Sequence, residues 1–184
     1  MIHVVTDTTS GLPADLARRY DIPVIPQVVI FGDEFYLEGV EMDPATFLGR
    51  LRTAKTLPKT AAPPPGLFTD LFRQRVRPGD TVLCIHPSVE LSGTVRSALT
   101  AAAEFPDLDI RVLDTRTIAS PLAALVVLAA QMGRAGGERR RHSGPSAWVD
   151  SPLAPLLPGR HAGVPAKRGA DRRRGRADRQ HVAG

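Results

Sequence analysis

Short apolar strands alternate with amphipathic helices along the first 137 residues. This alternation predicts an α/β fold in which a parallel sheet carries helices on both faces. A second observation is that Ile2–Val5, Thr81–Ile85 and Ile110–Leu113 are compact, mostly apolar runs suited to core strands. A third is that polar turns follow these runs. They are Asp7-Thr8-Thr9-Ser10, Ser92-Gly93-Thr94 and Asp114-Thr115. In parallel sheets, ligands sit beyond the carboxyl ends of strands, where helix N-termini point.

The elements follow in order. After the first strand, Leu12, Leu16 and Tyr20 mark one helical face, with Pro13 near its start. Val24–Phe31 is a β-branched run ending at Gly32-Asp33, and Glu34–Leu37 reads as a returning hairpin arm. Asp43 is an N-cap with Pro44 at the first helical position, and Phe47, Leu48 and Leu51 are expected to face inward. Lys59–Gly66 is proline-rich and reads as a stiff loop. The next helix follows, with Leu67, Phe68, Leu71, Phe72 and Val76 on its apolar face. Pro78-Gly79-Asp80 turns into the Thr81–Ile85 strand, which holds the one cysteine, Cys84, as a core residue. A helix leaves the Ser92 turn with Val95, Ala98, Leu99 and Ala102 on one stripe. Ser120-Pro121 opens a helix through about Met132, with Gly133, Gly136 and Gly137 expected to close it.

Beyond Gly137 the pattern stops. The last 47 residues are rich in Arg, Gly, Pro and Ala, lack a lasting period, and are expected to be mostly disordered. The charge divides at the same place. Residues 1–137 carry 13 Lys and Arg against 15 Asp and Glu, whereas 138–184 carry 11 against 4, so the net charge of +5 resides in the tail. The start has no basic segment followed by an apolar run, and Pro121–Ala130, the longest apolar stretch, is too short to cross a bilayer. A cytoplasmic protein is expected.

The Ser92-Gly93-Thr94 turn can offer hydroxyls and backbone N–H groups at a positive helix end, which suits a carboxylate or phosphate. Ser92 can equally be a cap for its own helix, and local pattern alone favours the cap. Thr60, in the proline-rich loop, divides in the same way between ligand contact and ordinary connector. Asp7-Thr8-Thr9-Ser10 reads as a polar turn capping the helix at Pro13. No GxxxxGK[ST] or GxSxG motif is present, so neither a Walker phosphate loop nor a hydrolase elbow is indicated. His3 and His86 read as structural, and His142, His161 and His181 lack metal-ligand spacing. No histidine pairs visibly with a carboxylate and a nucleophile. No catalysis, cofactor or metal is therefore expected.

Five stretches, in order and at characteristic spacing, resemble the DegV family of bacterial fatty-acid-binding proteins. They are VVTDTTSGLP, IPVIPQVVIFGDEFYLEGVEMDPATFLGRL, KTAAPPPGLFTDLF, GDTVLCIHPSVELSGTVRSA and IRVLDTRTIASPLAALVVLAAQMGRAGG. The resemblance implies one long-chain fatty acid buried between two domains, and a non-catalytic subunit that presents it to a separate fatty-acid kinase subunit for acyl-phosphate formation. It implies that Thr60 and Ser92 hold the carboxylate, supported by Gly93 and Thr94. Ala61 and Ala62 replace the family's usual Ser-Gln, and Pro87 stands where serine is common. Nothing in 138–184 matches the family's second domain. The shift in composition there is the kind that out-of-frame translation of GC-rich DNA produces, and re-reading the encoding DNA in its other frames tests that expectation. The competing reading is nucleic-acid binding through Arg139-Arg140-Arg141 and Arg172-Arg173-Arg174, although no aromatic residues interleave with them.

Overall fold

The computed structural model describes residues 1–139. Four parallel strands form the main sheet in the order β2-β1-β6-β7: β1 is Ile2–Asp7, β2 Val24–Ile25, β6 Thr81–His86 and β7 Asp109–Asp114. A second, antiparallel sheet has the order β4-β3-β5, with β3 Val28–Phe31, β4 Glu34–Leu37 and β5 Lys59–Ala61. The helices are α1 Ala14–Tyr20, α2 Pro44–Thr53, α3 Pro65–Arg75, α4 Thr94–Ala102 and α5 Ala119–Arg139.

Strand alternation divides the main core in two. Val5, Val82, Cys84 and Val112 point to α3 and α4, where they meet Phe68, Phe72, Val95, Ala98 and Ala101. Val4, Leu83, Ile85 and Leu113 point the other way, toward Leu122, Val126 and Ala129 of α5, with Leu12 and Tyr20 alongside. Helices therefore cover both faces, as the sequence predicts. Phe68, Phe72 and Leu122 are fully buried, and each burial contributes roughly 1.5–3 kcal/mol. Cys84 is also fully buried, and burial pushes its thiol pKa up, so it stays protonated at neutral pH.

Several expectations change. Val24–Phe31 is not one strand. Pro26 has no N–H to donate, and the chain passes there from the parallel sheet to the antiparallel one. Burial nevertheless alternates without a break through the junction, placing Gln27 on the buried phase with Ile25, Val29 and Phe31. Thr60 lies in β5, paired with β3, rather than in a free loop. Leu48 and Leu99 are about half exposed, at 50% and 48%, because the packed stripes run through Phe47 and Leu51 in α2 and through Ala98 and Ala101 in α4. The fully buried alanines let α4 sit close to its neighbours. Helix α5 continues past Gly133 to Arg139. A Cβ on Gly133 would lie 3.5 Å from Ile2, an ordinary contact, so this glycine packs inside the helix and does not end it. The expectations for 140–184, including the disordered tail and most of its arginine clusters, lie outside the described residues.

The small sheet has its own core. Val29, Phe31 and Met42 pack with Tyr36 and Phe47, and the Arg50 guanidinium lies over the Phe31 and Tyr36 rings. Asp43 caps α2 as expected, accepting from the N–H groups of Ala45 and Thr46 at 2.8 and 3.0 Å.

Candidate functional site

The carboxyl end of the main sheet gathers the polar turns. Parallel pairing of β1 with β6 places Val5 opposite Cys84, so Asp7 comes beside His86. Both are fully buried, and Asp7 Oδ2 lies 2.7 Å from His86 Nδ1. A carboxylate accepts, so Nδ1 carries the shared proton. Sequence pattern alone did not point to this pair. Asp7 also closes the 3₁₀ turn Thr8–Ser10, accepting from the Thr9 N–H at 3.0 Å and the Thr9 hydroxyl at 2.6 Å. It does not cap the helix at Pro13, whose start has no side-chain cap.

Burial is the largest single influence on the Asp7 carboxyl and pushes its pKa up. The hydrogen bond and attraction of His86, with the Thr9 contacts, outweigh it, and the net direction is down. Asp7 is therefore an ionised carboxylate held inside the protein by donors. His86 Nε2, among the described residues, has no hydrogen-bond partner, and the ring stands nearly perpendicular to Phe68 at 5.3 Å.

The network continues toward the surface. Gln27 Nε2 donates to Asp7 Oδ1 at 3.0 Å and to Thr94 Oγ1 at 2.9 Å. Thr94 Oγ1 lies 2.8 Å from Ser92 Oγ, which also accepts the Thr94 N–H at 3.3 Å. The cap reading of Ser92 is thus partly right, because its hydroxyl takes up the N–H of the first residue of α4. Its backbone is fixed by the Ser92 N–H, which donates to the Ser88 carbonyl at 3.0 Å. Gly93 serves by its small size: its φ of −75° is open to any residue, but a Cβ there would stand 3.2 Å from the Ala62 Cβ. The Arg96 guanidinium borders the same approach.

The structure therefore brings Ser92, Gly93 and Thr94 into one turn and joins them to Asp7 and His86. Thr60 is exposed on β5, opposite Val29, two residues before the Ala62 contact. Among the described residues its side chain makes no hydrogen bond to the turn. Sequence reasoning missed Gln27, the Asp7–His86 pair and Arg96. The available signal for Gln27 was a polar residue on the buried phase of an alternating run. Among the described residues no cluster of His, Cys, Asp and Glu is disposed to hold a metal ion.

The family model described as "Uncharacterised protein, DegV family" matches residues 1–140. The chain belongs to the DegV family. A DegV domain-containing protein of Clostridium perfringens is 35% identical over 135 residues, covering 73% of this chain and 48% of the relative. Among solved structures, one describing fatty-acid binding by a DegV family protein from Thermus thermophilus aligns with a TM-score of 0.67 and 33% identity, covering 76% of this chain and 52% of that one. A stearic-acid-binding protein from Eubacterium ventriosum aligns with a TM-score of 0.69 and 27% identity, covering 74% and 48%. The chain thus spans about half the length of the DegV relatives it matches.

Proposed function

We propose that this chain binds a long-chain fatty acid through its carboxylate at the Ser92-Gly93-Thr94 turn, with Thr60 as the second hydroxyl. It acts as a non-catalytic cytoplasmic subunit that presents the lipid to a separate fatty-acid kinase subunit for acyl-phosphate formation. The observation that carries this reading is the half-buried Ser92 hydroxyl, anchored from behind by Thr94 and Gln27, in a chain whose structural relatives bind fatty acids. Ser92 is bonded to another hydroxyl rather than to His86, an arrangement suited to holding a head group rather than attacking one. Arg96 adds a positive charge nearby.

The small sheet, whose two ends flank the turn, offers apolar surface for the acyl chain. Val28, Ile30, Phe35, Leu37 and Ala61 share the face of the small sheet turned away from α2, and Phe35 is 66% exposed, whereas Thr60, paired with Val29, stands on the opposite face. A chain of about 14 methylenes gains about 11 kcal/mol when fully buried, at roughly 0.8 kcal/mol each. This protein spans half the length of its relatives, so binding by the chain alone is expected to be weak.

Palmitate titration by calorimetry tests the reading, using this chain beside a version extended with a second domain from a full-length relative. Saturable one-to-one binding by the extended version, lost in Thr60→Ala with Ser92→Ala, is the expected result. Each hydrogen bond to the carboxylate contributes roughly 1.5–3 kcal/mol. Unchanged binding in a folded double variant would reduce both hydroxyls to caps. Adding a fatty-acid kinase subunit with ATP and assaying acyl-phosphate tests the presentation step.

A further inference from the structure

We infer that the buried Asp7–Gln27–Thr94 chain is a positioning device that fixes Ser92 as a hydrogen-bond donor toward the ligand. This deepens the carboxylate reading and rests on it. The direction follows from which atoms can only accept. The ionised Asp7 carboxylate has no proton, so the Gln27 atom 3.0 Å from Oδ1 must be the amide nitrogen. That fixes the amide's orientation and sends its second hydrogen to Thr94 Oγ1 at 2.9 Å. Thr94 Oγ1 is therefore an acceptor from Gln27, and its own proton needs another partner.

Two arrangements remain for the 2.8 Å contact between the hydroxyls. If Ser92 donates to Thr94, the Thr94 proton is left without an acceptor in a side chain that is 0% exposed. Stranding a buried donor is costly. If Thr94 donates to Ser92, every proton of Gln27 Nε2 and Thr94 is used. Ser92 Oγ then accepts from both the hydroxyl and the N–H of Thr94, which occupies its two lone pairs. Its proton is the one group left over, and Ser92 is the half-buried member of the chain. The relay thus runs outward from Asp7 and ends in an O–H. Such an end holds carboxylate oxygen and has no lone pair to offer an ammonium head group.

The test begins with the unmutated chain, by low-temperature proton NMR of the hydroxyls. The Thr94 hydroxyl should exchange slowly and show Overhauser contacts to the Ser92 β-protons, while the Ser92 hydroxyl exchanges with water too fast to observe. A slow Ser92 hydroxyl, or fast exchange of both, overturns the proposal. Palmitate titration then compares Thr94→Val with Thr94→Ser in the extended version. Valine should weaken binding roughly tenfold or more, as expected for loss of an oriented hydrogen bond to a charged group. It should also shift the Gln27 side-chain amide resonances, whereas serine preserves both. Equal loss in the two variants would mean that Thr94 acts by packing, and would overturn the proposal. If the unmutated extended version binds no palmitate, the fatty-acid reading fails, and the hydroxyl exchange still decides the direction of the relay.

Discussion

Strands β1 and β6 are tied together by an Asp–His pair at each end. At the carboxyl end, Asp7 and His86 are fully buried and 2.7 Å apart. At the amino end, His3 Nε2 lies 3.1 Å from Asp80 Oδ2, and the Met1 ammonium bonds Asp80 Oδ1 at 2.6 Å. The chemistry is the same but the surroundings differ. The outer pair is partly wet and leans on the exposed chain start. The inner pair is dry, and every Asp7 contact comes from a specific donor. In the inner pair a carboxylate organises a network that reaches a functional turn, whereas the outer carboxylate fastens a strand and a turn.

Removing the inner carboxylate should break this contrast most. Asp7→Ala leaves His86, Gln27 and the Thr9 N–H without their partner inside the protein, and should cost about 3–5 kcal/mol in urea unfolding. A loss below about 1 kcal/mol, the scale of a surface ion pair, would mean that the two pairs are equivalent. The glycines packed near each end sharpen the comparison. Gly93→Ala meets Ala62 at 3.2 Å and should cost about 1–3 kcal/mol, with weakened palmitate binding in the same variant.

At the outer end, Asp80→Ala should cost only about 1 kcal/mol. Its pH dependence is the finer test. The hydrogen bond from the chain-terminal ammonium is the main influence on Asp80, followed by an opposing effect of burial and then by the His3 bond, and the pKa falls from 3.8 to about 2. In the unfolded chain this carboxylate takes up its proton first as pH falls. Its contribution is therefore complete above about pH 4 and disappears toward pH 2. Asp7, also lowered, works in the same direction. Unfolding followed from pH 5 to 2 should decline less steeply in Asp80→Ala than in the unmutated chain. The smallest effect is expected at Gly133→Ala. The site has room for a methyl group, and helix propensity should add roughly 0.5–1 kcal/mol of stability, read as a small rise in melting temperature.

Much of the fold was legible because strand and helix periodicity are local. Asp43, Phe68, Phe72 and the strand read at Thr81–Ile85, which runs one residue further to His86, lie where pattern places them. Leu48 and Leu99 were misread because a helix stripe drifts by fractions of a turn, and only packing settles which edge is covered. The inner pair was not legible at all. Asp7 and His86 are 79 residues apart, and nothing local says that β1 and β6 are neighbours or in which register. Ser92 and Thr94 could be picked out as small hydroxyls at a strand-to-helix turn. Their link to Gln27 was hidden because nothing local places the 24–31 run beside the turn; only the buried phase of this polar residue hinted at it.

The small sheet starts and finishes at one spot. Val28 and Ala61 are direct pairing partners, so the excursion from β3 through β5 leaves the main sheet after β2 and hands the chain to α3 across a single strand spacing. The residues just outside its two ends, Gln27 and Ala62, both touch the Ser92-Gly93-Thr94 turn. In topological terms, residues 28–61 are a module inserted through a neck, and the neck is the candidate site. A module attached this way can be lengthened, shortened or exchanged without re-threading the parallel sheet, since closing the gap needs only a short turn. The Ser92-Gly93-Thr94 turn belongs to the host, while Thr60 and the apolar face of the small sheet belong to the insert. Exchanging the insert would therefore change one of the two proposed head-group hydroxyls together with the apolar surface.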